Sequence, residues 1–93
     1  MKGLEEIIND SNTHLIDVRE PFEVAEVSVD GATNIPMGNV SEEIENFKSM
    51  EGNIVVFCKS GGRSASVAQF LKQNGVQNVF DGGGYPDVLA LKK

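Results

Sequence analysis

The chain has 93 residues, of which 40% are hydrophobic and 24% charged, and its formal net charge is −6. This is the length of one domain, residues 1–93, and the composition excludes a disordered or membrane-spanning chain. The acidic balance argues against nucleic acid and anionic membranes as partners.

The opening segment, Met1-Lys2-Gly3-Leu4-Glu5-Glu6, places acids where a secretory signal needs an apolar stretch, so no signal peptide is expected. Leu4, Ile7 and Ile8 have helical spacing, and Asp10 to Thr13 read as the loop after that helix. Leu15 to Val18 form a short apolar run suited to a buried strand. Pro21 fits the first position of a short helix covering Phe22 to Glu26, where proline has no amide bond to lose. Gly31 precedes a weak strand, Ala32 to Ile35, closed by Pro36. Asn39 and Glu42 have the spacing of a capping box, followed by Val40, Ile44 and Phe47 on one helical face, with Gly52 as the stop. Ile54 to Phe57 is the most hydrophobic run. It does not alternate, so both of its faces should be buried, as in a parallel sheet.

Cys58 ends that run. Lys59 to Gly62 form a glycine-containing loop, and a helix is expected from about Arg63, with Val67, Ala68 and Leu71 inward. Gly75 is placed to end it in a left-handed conformation, with Val76 as the apolar contact that follows. Asn78 to Phe80 give a further strand, Gly82 to Gly84 a turn, and Tyr85 to Leu91 a last helix. Alternating strands and helices imply an α/β fold: a small parallel sheet flanked by helices on both faces.

Cys58 is the sole cysteine, which rules out an internal disulfide framework and a multi-cysteine zinc site; no metal and no cofactor are expected. Ligands of open parallel sheets bind beyond the carboxyl ends of the strands, where Cys58 lies. A short loop with two glycines can curl and aim its amides inward as an anion nest, and the following helix adds its positive end. Lys59 and Arg63 add charges. Each effect favours thiolate over thiol and should lower Cys58 below the free value of about 8.5. A lone cysteine can also be a small buried filler. The glycines, the cations and the helix start beside it favour a reactive thiol.

Leu15-Ile16-Asp17-Val18-Arg19-Glu20-Pro21, Gly31-Ala32-Thr33-Asn34-Ile35-Pro36, the Cys58 loop and Gly82-Gly83-Gly84-Tyr85 occur in that order, and together they resemble the rhodanese domain. The resemblance implies a small α/β fold with a parallel sheet. It also implies transfer of a sulfane sulfur from a small anionic donor such as thiosulfate, through a cysteine persulfide, to a thiophilic acceptor such as cyanide or a thiol. Cys58 matches the family nucleophile. Lys59, Ser60, Gly61, Gly62, Arg63 and Ser64 match the loop that holds the persulfide and the donor's anionic end. Asp17 and Arg19 match a structural pair. Val27-Ser28-Val29 stands where the family often has Gly-His-Ile, and Val88 where it often has tryptophan.

Two other functions fit parts of the pattern. A cysteine-based phosphatase or arsenate reductase usually has one more residue between cysteine and arginine than the four found here, and the tighter ring suits a sulfur better than a phosphoryl centre. A non-catalytic binding module on the same fold is the other. His14, the only histidine, is expected at the surface, and Glu42, Glu43 and Glu45 on a solvated helix face. Phe22 and Tyr85 fit either the pocket mouth or the core. A cytoplasmic monomer is expected, with an acceptor protein as a partner.

Overall fold

The computed structural model describes residues 3–93; Met1 and Lys2, which open the segment read above for a secretory signal, lie outside the described residues. Four strands make one all-parallel sheet: β1 (Thr13–Asp17), β2 (Ala32–Asn34), β3 (Asn53–Cys58) and β4 (Val79–Gly84), in the order β2-β1-β3-β4. Five helices accompany it: α1 (Leu4–Ile8), α2 (Pro21–Glu26), α3 (Ile44–Ser49), α4 (Gly62–Gln73) and α5 (Tyr85–Leu91).

β3 explains the layered core. Ile54, Val56 and Cys58 face one side, with Phe47, Val67, Ala68 and Leu71 of α3 and α4 and with Val40 of the segment before α3. Val55 and Phe57 face the other, with Ile7 and Ile8 of α1 and Val88 of α5. The unbroken apolar run is therefore buried on both faces, as expected of a parallel strand. The chain passes from β1 out to β2, then back across to β3, so the direction of winding reverses between β1 and β3. That reversal opens the crevice where parallel sheets bind ligands. Cys58 and the turn after Asp17 both lie there, and the Val18 amide bonds to the Phe57 carbonyl at 2.9 Å.

Of the positions that depart from the resembled pattern, Val27 and Ser28 are exposed, whereas the other two are inside. Val29 is buried in the second cluster, and Val88 is fully buried against the sheet. Gly75 takes the left-handed conformation (φ 86°) and closes α4 with a Schellman pair: the Val76 amide donates to Leu71 (2.9 Å) and the Gly75 amide to Lys72 (3.3 Å).

Several local expectations are corrected. Thr13 belongs to β1 rather than to the preceding loop, and β1 starts before Leu15, because Thr13 and His14 pair with Asn53 and Ile54 of β3. Asn39 does not cap a helix: residues Met37–Glu43 form a 3-10 helix with Pro36 at its N-cap position, and α3 begins only at Ile44. Val40 and Phe47 are still buried together, but Ile44 is not part of the cluster. The glycine run is not a turn. Gly82 to Gly84 extend β4, and an irregularity sets in where Val56 pairs with Asp81 but Cys58 pairs with Gly84. That is one extra residue on β4, a bulge that re-aims the strand end beside the cysteine. Close packing dictates glycine here, since a Cβ on Gly84 would lie 2.5 Å from the Lys59 carbonyl oxygen.

Asp17 and Arg19 form a buried ion pair at 2.7 Å, with both side chains 2% exposed. The Asp17 carboxylate accepts from the Arg19 amide (2.9 Å), Nε (3.0 Å) and Nη2 (2.7 Å). Arg19 Nη2 also donates to the Val27 carbonyl (2.7 Å), and the guanidinium stacks on Tyr85 at 4.4 Å. Asn34 Nδ2 donates to the carbonyls of both Asp17 and Arg19 (2.8 and 2.9 Å). The expected structural role is thus met by a network joining β1, β2, α2 and α5. Removing one partner leaves the other charge buried and uncompensated. Asp17→Ala should lower the unfolding free energy by about 3–5 kcal/mol in urea titration; an unchanged midpoint would show that the pair contributes nothing.

Candidate active site

The loop after β3 closes around the cysteine sulfur. Cys58 is 1% exposed and belongs to the core cluster on the α4 side. Its Sγ does not end among hydrocarbon alone. The Gly61 amide donates to it at 3.0 Å and the Ser64 amide at 3.4 Å. Gly61 makes this curl possible. It stands at φ 101°, a left-handed conformation that costs glycine little, immediately before the first turn of α4. The Ser64 amide is one of the free donors of that turn, so the helix presents both its hydrogen and its positive end to the sulfur.

Ser64 supplies more than its backbone. The residue is fully buried, and the thiol donates to its Oγ at 3.5 Å. That hydroxyl in turn donates to Asp81 Oδ1 at 2.7 Å, an oxygen that also accepts from the Gly83 amide at 2.9 Å. Burial pushes the Cys58 thiol up; the amides of Ser64, Gly61 and Ser60, with the Ser64 hydroxyl turned from Asp81 to the sulfur once the thiol proton has left, pull it down and prevail, so Cys58 lies below its ordinary value. The cause is hydrogen bonding to the anion more than neighbouring full charge.

The two loop cations take different places. Arg63 Nη1 and Nη2 bond to the two carboxylate oxygens of Glu23 at 2.7 and 3.0 Å. The Arg63 guanidinium is the main reason that Glu23 is held down at about 2, helped by the Glu20 amide. Glu23 in turn holds Arg63 above its usual value, with a smaller effect from the Cys58 sulfur. Lys59 is exposed and borders a cavity of about 100 Å³ with Arg19, Glu23, Glu26, Val27 and Tyr85. Neither Lys59 nor Gly62 bonds to the sulfur. Of the six loop residues, then, Gly61 and Ser64 donate to it, while Lys59 borders the small cavity and Arg63 is held by Glu23.

Sequence reasoning missed Asp81 and Glu23. Asp81 is one acid beside a glycine run and Glu23 one acid in an acidic helix; their partners lie 17 and 40 residues away, with no local signal between them. His14 is exposed and bonds the Glu51 carbonyl at 2.9 Å, away from the cysteine. Phe22 is 68% exposed, which removes it from the core, whereas Tyr85 packs against the second cluster. Among the described residues no cluster of His, Cys, Asp and Glu could hold a metal ion, and no helix is long and apolar enough to cross a membrane.

The sequence profile of the Rhodanese-like domain matches residues 1–91. The chain is 39% identical over 80 residues to the Bacillus subtilis protein YtwF, covering 86% of this chain and 77% of that one. It is 34% identical over 80 residues to the Escherichia coli thiosulfate sulfurtransferase PspE, covering 85% and 77%. A solved structure described as a rhodanese with anions from E. coli superimposes with a TM-score of 0.73 at 33% identity, covering 81% of this chain and 89% of that one.

The sulfur environment makes a direct prediction. The pH midpoint of Cys58 alkylation by iodoacetamide should fall below the free-cysteine value of about 8.5, and Ser64→Ala should move it upward. A midpoint at or above the free value in the unsubstituted protein would contradict the site as described.

Proposed function

The chain belongs to the rhodanese-like domain family, and on that premise we propose that it is a sulfurtransferase that carries a sulfane sulfur as a persulfide on Cys58. Sulfurtransferases among the similar proteins support the class of reaction. The observation that carries the reading is the buried sulfur facing amide hydrogens of Gly61 and Ser64. A thiolate so held needs no separate base at the moment of attack.

The reaction runs in two halves. The Cys58 thiolate attacks the outer sulfur of a small anionic donor such as thiosulfate. The sulfur–sulfur bond of the donor breaks, sulfite leaves with the electron pair, and Cys58 becomes a persulfide. An acceptor thiolate or cyanide then attacks the outer sulfur and returns the Cys58 thiolate. Amides that hold the thiolate also stabilise it as the leaving group of the second half. The loop from Lys59 to Ser64 binds the donor, with Ser60, Gly61 and Ser64 nearest the sulfur and Lys59 and Arg63 at the rim. No cofactor or metal enters, and the protein acts as a cytoplasmic monomer that hands its sulfur to a small thiol or an acceptor protein.

Treatment with thiosulfate without reductant should add one sulfur to Cys58 by intact-mass and peptide mass spectrometry, and Cys58→Ala should reduce thiosulfate:cyanide turnover to the buffer background. Equal turnover by Cys58→Ala and the unsubstituted protein, or no adduct under those conditions, would point to a non-catalytic module instead.

A further inference from the structure

Arg63 is the loop cation nearest in sequence to the helix start, yet it spends its hydrogen bonds elsewhere. Both of its terminal nitrogens are taken by Glu23 in a two-point pair, the geometry that satisfies a guanidinium fork most fully. The pair is partly shielded, with side-chain exposures of 35% and 18%. Glu23 is not free to swing away. Its Oε1 accepts the Glu20 amide at 3.0 Å, and Arg19 holds the same helix through the carbonyls of Glu23 (3.5 Å) and Val27 (2.7 Å). Glu20 also acts on Arg63, and Glu26 borders the small cavity with Lys59. Arg19, the remaining cation there, is already neutralised by Asp17. The rim of the loop therefore carries the carboxylates of Glu20, Glu23 and Glu26 against the charges of Lys59 and Arg63.

Resting on the sulfur-transfer reading above, we infer that Glu23 is a specificity-determining residue: by occupying Arg63 it weakens the hold on dianionic donors such as thiosulfate, which still react, and so reduces their advantage over small organic persulfides of lower negative charge. The chemistry balances for both donor classes. Thiosulfate gives Cys58–S–S⁻ and releases sulfite, with three negative charges before and after. A persulfide R–S–S–H gives Cys58–S–S–H and releases R–S⁻, with one negative charge before and after. Only the first requires the loop to gather two charges beside the thiolate, and an arginine bound to a carboxylate does little to offset them.

The test separates binding from turnover. In a Cys58→Ser background, Glu23→Gln should tighten thiosulfate binding about fivefold by calorimetry, while Glu23→Asp, which keeps the charge, should bind as weakly as the parent. With Cys58 present, Glu23→Gln should lower KM for thiosulfate more than it changes kcat and should not lower KM for cysteamine persulfide. Unchanged or weaker thiosulfate binding in the Glu23→Gln, Cys58→Ser protein would overturn the inference, as would an equal fall in KM for both donors. If the binding difference holds but the Cys58 protein transfers sulfur from neither donor, the sulfur-transfer reading fails and the control of anion binding by Glu23 stands.

Discussion

A sulfur that is 1% exposed cannot rely on water to stabilise a negative charge, so that stabilisation must come from donors built into the chain. The loop after β3 provides them at short range, from Gly61 at 3.0 Å and Ser64 at 3.4 Å. Much of the molecule is arranged so that these hydrogens arrive together. β3 is buried on both faces and fixes the depth of Cys58, α4 brings its first turn to the sulfur, and the left-handed Gly61 joins strand to helix within a few residues. Full charges stay at the rim, which lets the sulfur ionise without a buried cation and its desolvation cost.

The neighbouring strands hold this loop in place. β4 reaches the cysteine only because its glycines allow the Lys59 carbonyl to lie where a side chain on Gly84 would stand. Asp81, paired with Val56 just before the bulge, accepts from the Ser64 hydroxyl, and the bulge re-aims the strand end that follows. On the other side, the buried Asp17–Arg19 pair pins the turn after β1 to the C-terminal half of α2, and α2 supplies the carboxylate that occupies Arg63. Positioning of the loop and control of its outer charge thus trace to one ion-pair network.

The parts of this arrangement that the sequence makes legible are those written in contiguous residues. The apolar run 54–57, the cysteine after it, the glycine loop and the following helix announce a parallel strand with an anion nest at its end. Asp17 and Arg19 are two residues apart and bond directly. Pairings across long separations are not legible in the same way. Ser64 with Asp81, and Arg63 with Glu23, are made by the packing of whole elements, and any of several nearby acids would have looked as suitable. The glycine run misleads for a related reason. Gly82 to Gly84 suit a turn by composition, but pairing with β3 draws them into a strand. Asn39 and Glu42 have capping-box spacing, but Pro36 and the tight 3-10 helix set the start of that segment instead.

The central claim is that the amides of the loop, rather than a neighbouring cation, hold the sulfur as an anion. Proton–nitrogen NMR of the uniformly labelled protein across a pH titration tests it most directly. The account predicts that the Gly61 and Ser64 amide protons move downfield together, with the midpoint at which Cys58 ionises, and that both lose this transition in Cys58→Ala. Amide resonances of Gly61 and Ser64 that stay still while Cys58 ionises would contradict it.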